Sequence, residues 1–167
     1  GRYDFTKQAG QQWFMNAARE RGVNDFLFFT NSAPYFMTRT GSTLSGDNVC
    51  VNLQKDKFDD FARFLVSCVQ HFTEGGYNIK YISPLNEPNV EWHTNSWQEG
   101  TFATKADIYR MVAELDKAIS ESGANTKIVI PEMGEIKMLF EVDADERIPD
   151  DIIRSMFYDD GAYSVMQ

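Results

Sequence analysis

Glu87 is the residue whose surroundings in the chain most suggest chemistry. It stands between Asn86 and Pro88, directly after a short apolar run that ends at Ser83-Pro84-Leu85. A proline ring fixes its own φ and disfavours a helical backbone at the residue before it, so the carboxyl of Glu87 is aimed rather than free to swing. A carboxyl held at a strand end beside an amide and aromatic rings suits glycosidic cleavage. One carboxyl there protonates the leaving oxygen while a second attacks the anomeric carbon or activates water. The bland alternative is that Asn86-Glu87-Pro88 is only a turn; its place directly after a buried strand favours the chemical reading.

Sugar rings carry apolar C–H faces that stack on aromatic side chains. Tyr35, Phe36, Trp92 and Trp97 all lie in segments that follow strands and are the candidate platforms. His93 shares the loop of Glu87 and is a candidate hydrogen-bond partner for a hydroxyl. Phe58, Phe61 and Phe64 recur at helical spacing and read as core, as does His71 in the same segment. Glu132 and Glu135 also follow a strand, so geometry alone lets either face Glu87. Glu99 reads as a loop-fixing acid and Glu91 as a solvated one. The acidic residues Asp143, Asp145, Glu146, Asp150 and Asp151 lack the ordered spacing of a calcium loop and read as a solvated face. No metal-ligand cluster, Cys-x-x-Cys pair or Ser/His/Asp set in a persuasive setting occurs, so neither a metal nor a cofactor is expected.

The elements that must position these residues alternate. A helix is expected over residues 6–21, with Ala9, Trp13, Phe14, Ala17 and Ala18 as its apolar stripe and Gly22 as a left-handed stop. Phe26-Leu27-Phe28-Phe29 reads as a strand covered on both faces. A second helix carries Phe58, Phe61, Leu65, Cys68, Val69 and Phe72 and ends at Gly75-Gly76. Residues 79–83 form the next strand. Thr104 and Asp107 resemble a capping box opening a third helix, whose stripe is Ile108, Met111, Val112, Leu115, Ala118 and Ile119. Residues 127–130 make a third strand, and a weak fourth helix is expected near residues 152–158. Alternating helices and strands predict parallel βαβ construction, with the excess length after the strands, where α/β proteins bind ligands.

The chain of 167 residues is long enough for one core and short for two domains. Its net charge of −9 argues against a grip on nucleic acid or anionic membrane. No apolar run approaches the ~20 residues of a membrane span, and the first residues lack a basic stretch followed by an apolar one. Cys50 and Cys68 permit one bridge at most, and unpaired burial is the simpler reading. No glycine-rich phosphate turn follows any strand, which removes the usual mark of nucleotide binding. A closed (β/α)8 barrel takes ~250 residues, and three strands with four helices amount to about half of one. An open doubly wound sheet and a (β/α)8 TIM barrel both fit the alternation; on the barrel reading the fold is incomplete, and its open strand edges need a further segment to cover them.

Three segments together resemble clan A glycoside hydrolases, in particular family 30 and its endo-β-1,6-galactanase-like members. They are Thr30-Asn31-Ser32-Ala33-Pro34-Tyr35-Phe36-Met37-Thr38, Ile82-Ser83-Pro84-Leu85-Asn86-Glu87-Pro88 and Trp97-Gln98-Glu99-Gly100. The resemblance covers most of the chain and implies barrel strands three to five of one catalytic domain, with residues 1–167 all part of it. It also implies Glu87 as general acid/base, with Asn86 contacting the sugar 2-hydroxyl; Asn31 joins Tyr35, Phe36, Trp92, His93 and Trp97 as a candidate substrate contact. Glu132, on the fifth barrel strand, is then a substrate contact rather than the nucleophile. The family retains anomeric configuration with a seventh-strand glutamate as nucleophile, which lies outside this sequence. A lone acid cannot form the glycosyl-enzyme, so this stretch alone is expected to be inactive. Phe36 stands where relatives often carry Trp, and Thr101 where they often carry Cys, which bears on subsite shape. The implied partner is an oligosaccharide or polysaccharide with β linkages, and the implied location is secreted, periplasmic or cell-surface. A noncatalytic glycan-binding or degenerate barrel segment is the alternative from another class, and an unrelated open α/β sheet is a third.

Overall fold

The computed structural model describes residues 3–46 and 51–139 of the chain. In chain order these hold helix α1 (Ala9–Glu20), strand β1 (Asp25–Phe29), helix α2 (Phe58–Glu74), strand β2 (Asn78–Ser83), helix α3 (Lys105–Ser122) and strand β3 (Lys127–Ile128). Single 3-10 turns cover Tyr35–Met37 and Ile136–Leu139. The three strands form one parallel sheet in the order β1-β2-β3. Among the described residues this makes three parallel strands and three α-helices, consistent with part of a barrel. The expected fourth helix and the acidic run beyond residue 142 lie outside the described residues, as does Cys50.

Helix α2 is the anchor of the core. Its apolar residues at spacings of three and four place Phe58, Phe61, Leu65 and Val69 on one face, all buried. Ile108, Met111 and Leu115 of α3 are buried in the same cluster. Each such side chain contributes about 1.5–3 kcal/mol on removal from water, so this two-helix layer outweighs any surface pairing in the segment. Cys68 is buried and unpaired, and burial pushes its thiol up to about 11. His71 stacks on Phe5 with ring centroids 3.8 Å apart, a packing role.

The helix ends follow local chemistry. Thr104 Oγ1 accepts the Asp107 N–H at 3.2 Å, and Asp107 Oδ2 accepts the Thr104 N–H at 3.1 Å, closing the expected capping box. Gly22 follows α1 at φ 89°, the left-handed conformation that only glycine adopts without a steric penalty.

Strand β2 departs from simple alternation. Phe26 pairs with Ile79 but Leu27 pairs with Tyr81, so Lys80 is an extra residue in the ladder. The irregularity lets Ile79 and Ile82, three positions apart, both fall opposite residues of the helix-facing side, Phe26 and Phe28. Phe26 and Phe28 meet Tyr77 and Phe72 edge-on or tilted on that side. Lys80 itself reaches Asp25 at the edge of the sheet and lies over the Tyr81 ring.

Four sequence expectations need correction. Strand β1 is covered on one face only: Leu27 and Phe29, on the face opposite Phe26 and Phe28, are exposed in this chain. An all-apolar run records that both faces seek cover, but not whether the covering residues are part of the same segment. The stripe of α1 is likewise only half used. Ala17 and Ala18 are half-buried and Met15 packs on the core, while Trp13 and Phe14 are 62% and 70% exposed and stack edge-on against each other. Helix α1 also starts three residues later than its pattern suggests, because Gln8 takes a left-handed backbone at φ 60° and breaks the turn. Strand β3 is two residues long rather than four; an isolated bridge between Asn86 and Glu132 resumes its pairing further on.

Candidate active site

The loops after the three strands bond one another at the carboxyl end of the sheet, and Glu87 lies in the middle one, against the loop after β3. It is half-buried, four residues beyond β2, and adopts φ 45°. The proline that follows it predicts a non-helical backbone. The result goes further, into the left-handed region, which costs a non-glycine residue about 1–3 kcal/mol.

That conformation persists because both flanking peptide groups are bonded. The Glu87 N–H donates to the Glu132 carbonyl at 2.9 Å. Its carbonyl accepts two donors, the Val90 N–H at 3.0 Å and the Trp92 indole Nε1–H at 3.2 Å. At about 1 kcal/mol net each, three such bonds are of the size needed to offset the backbone strain. The carboxyl lies beside Gly134 in the loop after β3: a Cβ built there would be 3.5 Å from Glu87 Oε1. The Gly134 N–H in turn donates to Asn89 Oδ1 at 3.2 Å, so the loops after β2 and β3 hold each other.

Asn86 is buried, and its side-chain amide donates to the Glu99 carbonyl at 3.3 Å. Its own carbonyl accepts the Thr101 N–H at 3.1 Å, so the long loop of residues 88–101 returns to the strand end from which it left. Glu99 reaches the other way. Its Oε2 accepts the Ser32 hydroxyl at 3.1 Å, and Thr101 Oγ1 donates to the Asn31 carbonyl at 3.2 Å. These bonds cross from the loop after β2 to the loop after β1. Glu99 thus fixes loops, as its sequence setting suggested.

The candidate platforms divide. Tyr35 and Phe36 are exposed on the 3-10 turn after β1, packed edge to face with centroids 5.5 Å apart. Trp97 is 88% exposed in the loop after β2. These three offer open rings. Trp92 does not: it is 6% exposed, and its indole occupies the space a side chain at Gly100 would take. The reading of Trp92 as an open stacking platform is therefore withdrawn for this chain. Local sequence gives no measure of which loop tryptophan turns inward. His93 and Asn31 are exposed, and Glu132 is half-buried beside Glu87 through the backbone pairing.

Gly100 and Gly134 are the site residues that sequence reasoning missed. Each is defined by a neighbour far along the chain or across a loop, and an isolated glycine in a polar loop carries no local sign of that contact. Among the described residues, no group of three or more His, Cys, Asp or Glu is arranged to hold a metal ion, and no helix is long and apolar enough to cross a membrane.

A half-buried carboxyl at the carboxyl end of parallel strands, next to a buried amide and with exposed aromatic rings on the loops after β1 and β2, is of the kind found in α/β proteins that bind ligands at that end of the sheet. The fold agrees with that class. The catalytic domain of GH30 xylanase C from Talaromyces cellulolyticus superposes with a TM-score of 0.66 at 22% identity, over 81% of this chain and 31% of that one.

The chain belongs to O-glycosyl hydrolase family 30, which it matches over residues 1–166. It is 71% identical to a conserved exported protein from Bacteroides fragilis, with a TM-score of 0.93, covering 100% of this chain and 34% of that one. It is also 33% identical over 138 residues to the exo-β-1,6-galactobiohydrolase of Bifidobacterium longum subsp. longum, covering 76% of this chain. The chain spans 8% of that relative's length.

Proposed function

We propose that residues 1–167 are part of one (β/α)8 catalytic domain of a retaining glycoside hydrolase acting on β-linked glycans, with Glu87 as its general acid/base. The observation that carries the reading is the setting of Glu87. In a chain of a glycoside hydrolase family, one half-buried carboxyl sits at the carboxyl end of a parallel strand, with both of its peptide groups bonded. Glu87 enters protonated and gives its proton to the leaving oxygen as the glycosidic bond breaks. A carboxylate elsewhere in the full-length protein forms the glycosyl-enzyme. Glu87, now ionised, then takes a proton from the water that releases the sugar. Asn86 is assigned the sugar 2-hydroxyl, and Tyr35, Phe36 and Trp97 the ring faces, with Asn31, His93 and Glu132 as polar contacts.

β-1,6-linked galactan is the first substrate to try, because the galactobiohydrolase relative is named for that linkage. Export from the cytoplasm is part of the same proposal, by likeness to the exported Bacteroides fragilis protein.

The test is Glu87→Ala in the full-length protein, assayed on β-1,6-galactan and on aryl β-1,6-galactobiosides. Loss of about 10²–10⁴-fold on the polysaccharide is expected. Azide should rescue turnover of the activated aryl substrate and yield a glycosyl azide of retained configuration. A variant as active as the wild type, or an inverted azide product, refutes the assignment. Glycan binding by a wild-type protein without turnover favours the noncatalytic alternative.

A further inference from the structure

We infer that Trp92 is a positioning residue for Glu87: its indole, seated on the bare backbone of Gly100, holds the Glu87 peptide so that the carboxyl meets the glycosidic oxygen. The inference rests on the acid/base reading of Glu87 and adds to it a residue whose side chain stays out of the substrate site.

Two observations carry it. The first is the seat. A Cβ on Gly100 would lie 2.0 Å from Trp92 Cε2 and 2.2 Å from Nε1, far inside contact distance, so the indole rests on the one residue type that leaves it room. That seat is itself held, since the Gly100 carbonyl accepts the Ser45 hydroxyl at 3.1 Å and the next residue, Thr101, is bonded back to Asn86. The second is the direction of the indole N–H. It donates to the carbonyl of Glu87, whose backbone is left-handed at φ 45° although the residue is not glycine.

Position 87 faces a conflict. Its backbone relaxes downhill toward the extended region, which would turn the peptide and carry the side chain with it. The Val90 N–H belongs to the same short turn and moves with it. The indole does not, because it is buried against the backbone of Gly100. Trp92 therefore links the reactive carboxyl to the closure of the whole loop 88–101.

Misplacing a proton donor matters most where the leaving group needs its proton. The full-length protein carrying Trp92→Phe is compared with wild type on two substrates, 2,4-dinitrophenyl and 4-methoxyphenyl β-1,6-galactobioside, or the matching xylobiosides if xylan is the glycan cleaved. Phenylalanine keeps a ring on Gly100 and removes the N–H donor. The expected result is a fall of about tenfold in kcat/KM on the methoxyphenyl substrate, with little change on the dinitrophenyl one, whose leaving group departs without protonation. Equal loss on both, or loss on neither, overturns the inference, because a merely structural role does not distinguish leaving groups. Should Trp92→Phe fail to fold, 3-benzothienylalanine at position 92, which replaces the N–H by sulfur in the same ring shape, is read by the same criterion. Glu87→Gln runs beside it. If Glu87→Gln shows the leaving-group dependence and the Trp92 variants do not, positioning alone fails. If Glu87→Gln shows none, the acid/base reading fails and takes this inference with it.

Discussion

Gly100→Ala is the smallest change that should undo the loop around Glu87. The added methyl would sit 2.0–2.4 Å from three indole atoms of Trp92, where ordinary contact begins near 3.4 Å. The obstacle is a rigid bicyclic ring packed on backbone, so no small rotation relieves it and the indole must leave its seat. Trp92 is 6% exposed where it lies. A tryptophan buries about 150–250 Å², and at about 25 cal/mol per Å² its complete exposure loses about 4–6 kcal/mol, an upper bound. Partial reburial returns some of this, and the lost bond to Glu87 adds about 1 kcal/mol. The expected loss is about 3–5 kcal/mol, in the range of tryptophan removal from a core. It should appear first as local opening rather than global unfolding, because Trp92 is not among the residues of the core that α2 and α3 share. Hydrogen exchange read by mass spectrometry is the matching assay. Amides of residues 88–103, including those of Val90, Thr101 and Ala103 that close the loop, should exchange far faster in Gly100→Ala, while peptides of α2 stay protected. A variant whose loop exchanges at the wild-type rate, with a melting temperature within about 1 °C of it, would refute the steric reasoning.

Two further outcomes follow from the scaffold. Thr104→Ala removes one half of the capping box of α3 and should lower unfolding free energy by about 0.5–2 kcal/mol in denaturant titration, with Thr104→Ser restoring most of it. Asp25 is held below the usual carboxylate range, chiefly by its hydrogen bond from Lys80. A depressed carboxyl stabilises the fold above its unfolded pKa and stops doing so as pH falls through the folded one. The stability gap between wild type and Asp25→Asn should therefore be open at neutral pH and close in the acid range, and a gap that widens on acidification would contradict it.

Much of the frame was legible because its causes are local. The three-and-four spacing of Phe58, Phe61, Leu65 and Val69 specifies a helix with one buried face whatever it packs against. The pair Thr104 and Asp107 closes on itself within a single turn, and Gly22 stops α1 because its φ suits no other residue as well. Glu87 stood out for the same reason: a strand, two prolines and an amide within a few positions constrain the backbone there before any tertiary contact forms. Family membership followed from three short segments read in order.

What the tertiary structure decided depends on groups distant in sequence. Two tryptophans five residues apart in one polar loop read alike, yet Trp92 turns inward and Trp97 outward, because Gly100 leaves an indole-sized gap beside only one of them. The left-handed turn at Glu87 requires the Glu132 carbonyl from the neighbouring strand and the Trp92 N–H from across the loop, and neither is implied by the tripeptide itself. The same holds for Leu27 and Phe29, whose apolar character marks a face suited to cover, although both are exposed in this chain. Periodicity and caps act over one or two turns and survive in isolation. The aim of a carboxyl is a sum of weak bonds from separate loops, and it exists only once those loops have met.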